Sequence, residues 1–206
     1  MTIDFIYQIV IMVMSVVVHE VSHGYAAYLQ GDSTARYEGR LTLNPIKHLD
    51  LFGSIIIPLL LIVTKAGFVF GWAKPVPYNP YNLRNHRWGE GIVAAAGPFS
   101  NIVLALIFGL LIRISIAYGF ATQPFLVVCS VVVAVNIMLA IFNLIPIPPL
   151  DGSKILFSFL SYKHNNIRVF LESFGMFLVL FFIIFLSGLL LSPVTYLFHL
   201  FTGLSL

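Results

Sequence analysis

The chain has 206 residues, of which 59% are hydrophobic and 9% are charged, against roughly 25% charged residues in an ordinary soluble domain. This composition excludes an ordinary soluble domain. The net charge of +3 comes from basic residues that form no dense cluster, so nucleic acid is not an expected partner. Long apolar runs predict one all-α polytopic membrane domain over residues 1–206, because helices satisfy their own backbone hydrogen bonds in a bilayer.

The first apolar segment, residues 3–29, carries a metal-binding pattern in a stretch long enough to cross a bilayer. His19 and His23 are four residues apart, so both imidazoles lie on one face of a helix and can bind one Zn²⁺. Glu20 lies beside them, placed to take a proton from water. Because ionisable groups are expensive in hydrocarbon, this cluster predicts hydrolysis within a membrane.

Two short β-strands are predicted between the first two membrane segments. Residues 39–44 alternate between polar and apolar side chains, and residues 71–76 are a second candidate strand. A strand edge would hold an unwound substrate through main-chain hydrogen bonds, with Leu41 and Leu43 as candidate substrate-binding residues. The alternative is that both stretches are ordinary connecting loops.

The apolar run from Leu51 to Phe70 is predicted to be a re-entrant element or a short helical hairpin, because glycine, proline and lysine interrupt it. If it does not cross, ten of the eleven lysines and arginines fall on one side of the membrane, and only Arg113 lies on the other. Basic residues favour the cytoplasmic side, so the N-terminus is predicted outside. If the run does cross, every later element inverts, and Asp151 moves to the side opposite His23.

Three further spans are predicted at residues 91–118, 123–145 and 169–191, which makes about four full transmembrane helices in all. A proline-rich break precedes a short helix at residues 153–160, because proline removes backbone donors. Pro193 is predicted to separate off a hydrophobic C-terminal segment.

Two histidines leave a zinc site incomplete, since catalytic sites usually have three protein ligands and an open position. Asp151 is the favoured third ligand among the eight acidic residues. It follows a proline-broken helix end, precedes glycine, and lies on the same side as His23 in the preferred topology. The remaining acids lie at segment ends, in polar loops or at the start of the last span: Asp4, Asp32, Glu38, Asp50, Glu90 and Glu172.

Two motifs resemble the site-2 protease family of intramembrane zinc metalloproteases: His19-Glu20-Val21-Ser22-His23-Gly24 and Asn143-Leu144-Ile145-Pro146-Ile147-Pro148-Pro149-Leu150-Asp151-Gly152. Residues 39–45, 71–76 and 96–101 are similar to its compact bacterial members, without the PDZ or CBS domains of larger ones. The resemblance implies that His19, His23 and Asp151 bind one zinc ion per chain. It also implies that Glu20 is the catalytic acid/base.

Asn143 is a candidate to stabilise the oxyanion of the reaction, because a neutral donor close to the metal suits that role. The resemblance also implies that Asn143 contacts the substrate backbone. The alternative is that Asn143 only hydrogen-bonds between helices, which is the expected role of Asn136 and Asn101.

The sequence therefore predicts a zinc endopeptidase that hydrolyses peptide bonds in or near transmembrane segments, as in regulated intramembrane proteolysis. Its expected partners are a transmembrane substrate and the lipid bilayer. The expected location is the cell membrane, with the active site nearer the cytoplasmic side. The alternatives are a metal-ion transporter, which predicts polar residues along a path through the bilayer, and an inactive membrane-peptide binder, which predicts loss of Glu20 or a ligand.

Overall fold

The computed structural model describes residues 2–64, 71–160 and 165–205. Within these residues, four helical runs are long and apolar enough to cross a membrane, in agreement with the four predicted spans. The runs are Ile6–Leu29, Gly89–Ala117, Gln123–Asn143 and Asn165–Thr202.

The described elements are all helical. The first half of the chain contains α1 (Thr2–Leu29), α2 (Thr34–Tyr37), a 3-10 turn (Pro45–His48), a π-helical turn (Leu51–Ile56), α3 (Ile57–Val63) and a second 3-10 turn (Pro80–Asn82). The second half contains α4 (Gly89–Ala117), α5 (Gln123–Asn143), α6 (Asp151–Phe159), α7 (Asn165–Phe181), a π-helical turn (Phe182–Leu186), a 3-10 turn (Ser187–Leu190) and α8 (Leu191–Thr202).

Helix α4 is central, because it packs against α1, α5, α6 and α8. Gly109 brings α4 close to α8, since a Cβ atom there would lie 2.8 Å from the Cβ atom of Phe201. The apolar core between α4, α5 and α8 consists of Ala105, Ile112, Cys129, Val133, Ile137, Val194 and Phe198.

Arg113 binds the end of α8. Its guanidinium donates hydrogen bonds of 2.8 Å to the carbonyls of Leu200 and Phe201. The last carbonyls of a helix have no partners within it, so a basic side chain stabilises this end. Arg113 therefore fastens the end of α8 to α4.

The last span differs from the prediction in where it is interrupted. Pro193 was predicted to separate off the tail, but the α-helical geometry already changes at Phe182, eleven residues earlier along the chain. Pro193 lies in the first turn of α8, where the missing N–H leaves no helical hydrogen bond unmade.

The predicted β-strands are wrong: residues 39–44 and 71–76 form no strand, nor does any other described stretch. Part of the reason is Arg40, whose guanidinium takes the carbonyls of Lys74 and Pro75 that a neighbouring strand would have used. Prolines in and just after the second stretch also lack the N–H that a strand ladder needs. Both stretches are loops held by side chains.

The two ends of the predicted re-entrant run lie side by side. The Trp72 N–H donates to the Gly53 carbonyl at 3.1 Å, and the Ser54 hydroxyl donates to the Trp72 carbonyl at 2.8 Å. A Cβ atom on Gly53 would collide with the Trp72 indole. The chain therefore leaves and returns at one point, while residues 65–70 of the run lie outside the described residues.

Candidate metal centre

Three side chains from two helices converge beside α4. His19 and His23 project from one face of α1, and Asp151 is the first residue of α6. Their ligand atoms all lie within 4.8 Å of one another. The Asp151 Oδ2 atom is 3.0 Å from Nε2 of His19 and 3.2 Å from Nε2 of His23. The structure thus brings together the three predicted ligands.

The donor set fits zinc. Oδ2 of Asp151 is buried and forms no hydrogen bond of normal geometry, although both imidazole nitrogens lie close to it. Such an oxygen is costly to bury, and a cation between the three ligand atoms would remove that cost. Two imidazoles and one carboxylate are common ligands in catalytic zinc sites, which keep a further position open.

Each imidazole is oriented through its second nitrogen. Nδ1–H of His19 donates to Oδ1 of Asn101 at 2.6 Å, and Nδ1–H of His23 donates to the Val93 carbonyl at 2.7 Å. Because both partners are acceptors, each ring carries its hydrogen on Nδ1 and presents the lone pair of Nε2 toward Asp151. Hydrogen bonds of this kind fix the tautomer and orientation of metal-binding histidines.

Gly97 of α4 lies directly against the two rings. A Cβ atom at this position would be 2.5 Å from Cε1 and Nε2 of His23 and 2.6 Å from Cε1 of His19. Real Cβ atoms essentially never come so close to other atoms. A side chain at residue 97 would therefore displace the histidines from their present positions.

Gly152 allows a close contact that positions Asp151, as Gly97 does for the histidines. A Cβ atom on Gly152 would collide with the carbonyl oxygens of Leu144 and Ile145, just beyond the end of α5. Leu150, the residue before Asp151, has extended backbone angles, φ −69° and ψ 153°. The proline-rich loop therefore ends at Leu150, and the first turn of α6 begins at Asp151. This close approach places Asp151 opposite the histidines.

The contact of Asn101 with a predicted ligand was not foreseen from the sequence. Asn101 was expected to hydrogen-bond between helices, which its bonds to α1 and α5 confirm, and one of these bonds orients the predicted ligand His19. The Asn101 amide donates to Oδ1 of Asn136 at 2.8 Å, and the Asn136 amide donates to the Ser15 hydroxyl at 2.9 Å. Asn136 is therefore the interhelical link that was expected. Asn101 lies in the stretch 96–101 that resembled the site-2 proteases, and this was the available signal.

Glu20 lies beside the ligand cluster and is half-buried. It precedes His23 by three residues on α1, so the two side chains are neighbours on the helix surface. Its Oε2 atom accepts a hydrogen bond of 2.9 Å from the backbone N–H of Val76. One carboxylate oxygen of Glu20 is thus held by the loop that precedes α4.

The remaining predicted site residues are less closely tied to the cluster. Asn143 is half-buried near the end of α5, and its amide donates to the Leu139 carbonyl of its own helix at 2.9 Å. Leu41 packs against Gly24, the residue after His23. Leu43 is 56% exposed. The substrate-binding roles of Asn143, Leu41 and Leu43 stay predictions.

Asp32 has a structural role just beyond α1. Its carboxylate accepts hydrogen bonds from the Thr34 hydroxyl and backbone, the Asn82 amide and the Asn79 backbone. Burial alone would raise the pKa of this carboxyl, but the hydrogen bonds outweigh burial and lower the pKa below its ordinary value. Asp32 therefore fastens the loop before α4 to the end of α1.

Comparison with known proteins agrees with this chemistry. The sequence model described as "Peptidase family M50" matches residues 7–126 and 112–186. The chain is 41% identical over 186 residues to "Putative zinc metalloprotease YwhC" of Bacillus subtilis, covering 85% of this chain and 80% of the relative. It is 33% identical over 162 residues to "Putative zinc metalloprotease Rip2" of Mycolicibacterium smegmatis, covering 72% of this chain and 55% of that protein. No solved structure matches the chain.

Proposed function

Because the chain belongs to peptidase family M50, the family of site-2 proteases, and is a multi-pass membrane zinc metalloprotease, we propose that it hydrolyses peptide bonds in or near transmembrane segments of membrane proteins. One observation carries this proposal: His19 and His23 of the cluster lie within α1 and against α4, two helices long and apolar enough to span a bilayer. Only a substrate that enters the membrane region reaches a site so placed.

The ligands in this proposal are His19, His23 and Asp151, which hold one zinc ion per chain. Zinc at such a site supplies Lewis-acid chemistry, which polarises a carbonyl and lowers the pKa of water. The Nδ1 hydrogen bonds of both histidines support this role, because they leave both Nε2 lone pairs free for a cation.

Glu20 is the proton acceptor in this proposal. It takes a proton from the attacking water and delivers it to the leaving amine. Its place one residue after His19 supports this role, as does its partial exposure next to two buried imidazoles. Asn143 donates a hydrogen bond to the oxyanion that develops on the substrate carbonyl. Its amide nitrogen has two hydrogens, so one can still donate to the Leu139 carbonyl while the other donates to the oxyanion.

The site is proposed to open toward the cytoplasm, with the N-terminus outside the cell. His19 lies ten residues before the end of α1, which is roughly 15 Å at 1.5 Å per residue. The hydrogen bond between Trp72 and Gly53 supports a re-entrant element between them, because both of its ends lie at one point. Single cysteines near Asp50 and Trp72 are expected to react with an impermeant label from the same side of the membrane. Labelling from opposite sides would contradict this topology.

The substrate class in this proposal is a membrane-tethered regulatory protein cleaved within or beside its single span. The chain and Glu20→Gln are each co-expressed with a panel of tagged single-span proteins, and the fragments are analysed by immunoblotting. The native chain is expected to cleave at least one member, and Glu20→Gln none. Cleavage that persists in Glu20→Gln would exclude Glu20 as the proton acceptor. Uptake of zinc into proteoliposomes with no cleavage of any substrate would favour a transporter.

A further inference from the structure

Arg40 is a buried cation in the loop between α2 and the 3-10 turn at Pro45–His48. Arg40 is 6% exposed, and its guanidinium donates to backbone carbonyls of the 3-10 turn and of the loop before α4. One partner is Lys47; the others are Lys74 at 2.8 Å and Pro75 at 3.1 Å. Among the described residues, no carboxylate forms an ion pair with Arg40. Its charge is therefore directed at backbone carbonyls.

One peptide group joins this cation to Glu20. The carbonyl of Pro75 and the N–H of Val76 belong to the same peptide unit, and in a trans peptide they point in opposite directions. The carbonyl accepts from Arg40, and the N–H donates to Oε2 of Glu20 at 2.9 Å. The guanidinium and the carboxylate thus lie at the two ends of a single polarised peptide.

The donor on Val76 is held rigidly. Pro75 and Pro77 fix the backbone on both sides and have no N–H, so Val76 supplies the one amide hydrogen of the tripeptide. The Val76 side chain is 5% exposed, and its Cγ1 atom packs where Gly24 of α1 has no side chain. The position of this N–H relative to α1 is therefore fixed by packing as well as by proline.

We propose that Arg40 is a positioning residue for the hydrolysis, acting on Glu20 through the Pro75–Val76 peptide. The peptide N–H fixes Oε2 of Glu20 and leaves Oε1 to face the attacking water. Hydrogen bonds in a chain polarise one another, so the cation on the carbonyl strengthens the donor on the other side. This inference rests on the proposed role of Glu20 as proton acceptor.

The first test removes the amide hydrogen. Val76→Pro deletes the backbone N–H of residue 76. Val76→Ala is the control, because it retains this N–H but also loses the packing of the valine side chain. Both purified proteins are assayed with a lysine-flanked transmembrane helical peptide that carries a fluorophore and a quencher. We expect kcat to be roughly ten- to a hundredfold lower in Val76→Pro than in Val76→Ala, as for loss of one hydrogen bond to a charged group. KM and zinc content are expected to be equal in the two variants.

Two outcomes of this comparison would overturn the proposal. Equal kcat values would show that the hydrogen bond does not position Glu20. A loss of zinc from Val76→Pro alone would show that the loop holds the metal ligands and not the proton acceptor.

The second test measures the coupling between Arg40 and Val76. Arg40→Gln is expected to lower kcat in the native background but to cause no further loss in Val76→Pro, because the connection to Glu20 is already broken. Arg40→Lys, which keeps the charge, is expected to restore part of the activity lost in Arg40→Gln. If the double variant instead loses kcat by the product of the two single losses, Arg40 and Val76 act independently, and the proposed route through the peptide is contradicted.

The third test needs neither substrate nor zinc. Hydrogen–deuterium exchange measures this contact directly. Residues 75 and 77 are prolines, so the segment 74–77 contains only the amide hydrogens of Lys74 and Val76. Overlapping peptides isolate the deuterium uptake of this segment, because a peptide loses the label on its own first residues. Glu20→Ala is expected to add one fast-exchanging amide hydrogen there, and unchanged exchange would refute the contact.

If Glu20→Gln retains cleavage, the proposed function of Glu20 fails. If Glu20→Gln is inactive and Val76→Pro matches Val76→Ala, only the inference on Arg40 fails.

Discussion

The proposed metal ligands His19 and His23 and the proposed proton acceptor Glu20 are held in different ways, although all three lie on α1. His19 and His23 lie against packed helices, with Gly97 allowing close contact and Asn101 accepting a hydrogen bond. The carboxylate of Glu20 is instead held by residues 71–79, a loop without helix or strand. Helix packing fixes the ligand positions, whereas buried charged side chains fix the loop.

This difference separates two kinds of failure. A change in the packed helices is expected to lose the metal, and a change in the loop is expected to lower activity or stability while the metal stays bound.

Gly97→Ala is expected to abolish zinc binding. The added methyl group would collide with both imidazole rings, and helix α4 has no room to move because it packs against four other helices. Zinc content of the purified protein is measured by atomic emission. Gly188→Ala is the control, since nothing lies within 4 Å of a Cβ atom at that position. A Gly97→Ala protein with a full complement of zinc would show that the ligands tolerate movement of α4.

Asn101→Ala is expected to weaken zinc binding by about ten- to a hundredfold, the usual effect of removing the hydrogen-bond partner of a metal-binding histidine. The His19 ring would lose the acceptor that fixes its tautomer. The measurement is a competition titration with a chromogenic chelator. Asn136→Ala is the matched control one step further along the same network, and it is expected to have a smaller effect. Equal losses in both variants would mean that the network acts on helix packing alone.

Asp32→Asn tests the loop. It is expected to lower the free energy of unfolding by about 1–3 kcal/mol at neutral pH, because hydrogen bonds to a charged carboxylate are lost, while zinc content is unchanged. The folded state lowers the pKa of Asp32, so this contribution is present above the ordinary carboxyl pKa and is lost as the pH falls through the folded value. Denaturant unfolding in detergent should therefore show the two proteins converging in acid. A pH-independent difference would contradict the assigned cause.

Lys154→Met should have the smallest effect. The Lys154 ammonium on α6 lies 5.1 Å from the ring centre of Tyr78 in the loop, so this contact joins the two regions. Cation–π contacts at accessible sites contribute about 0.5–1 kcal/mol. A double-mutant cycle with Tyr78→Leu measures the coupling free energy. A coupling above that range would show that the loop and α6 depend on each other more strongly than the present geometry indicates.

The sequence alone was sufficient for the parts of the site that lie within one motif or between two motifs. Helical periodicity placed His19 and His23 on one face, and the charge distribution favoured a topology in which Asp151 lies on the same side. The structure brings these three residues together. Their assignment as ligands remains a proposal that metal analysis of each variant can test.

The parts that could not be predicted depend on contacts between distant segments. Asn101 contacts His19, 82 residues away, only because α4 packs on α1 in one register. The strands predicted at residues 39–44 and 71–76 failed because alternating side chains do not reveal where backbone groups find partners. Here Arg40 supplied those partners, and no local pattern distinguishes such a side chain from one in solvent.

The closure at Gly53 and Trp72 has a consequence for how this chain can vary. Two hydrogen bonds join the residues at the base of the excursion, so chain can be inserted or removed between them without moving either anchor. If the excursion re-enters as proposed, the order and direction of the later spans do not depend on its length. A change in its length would then leave Gly53, Trp72 and the later spans in place.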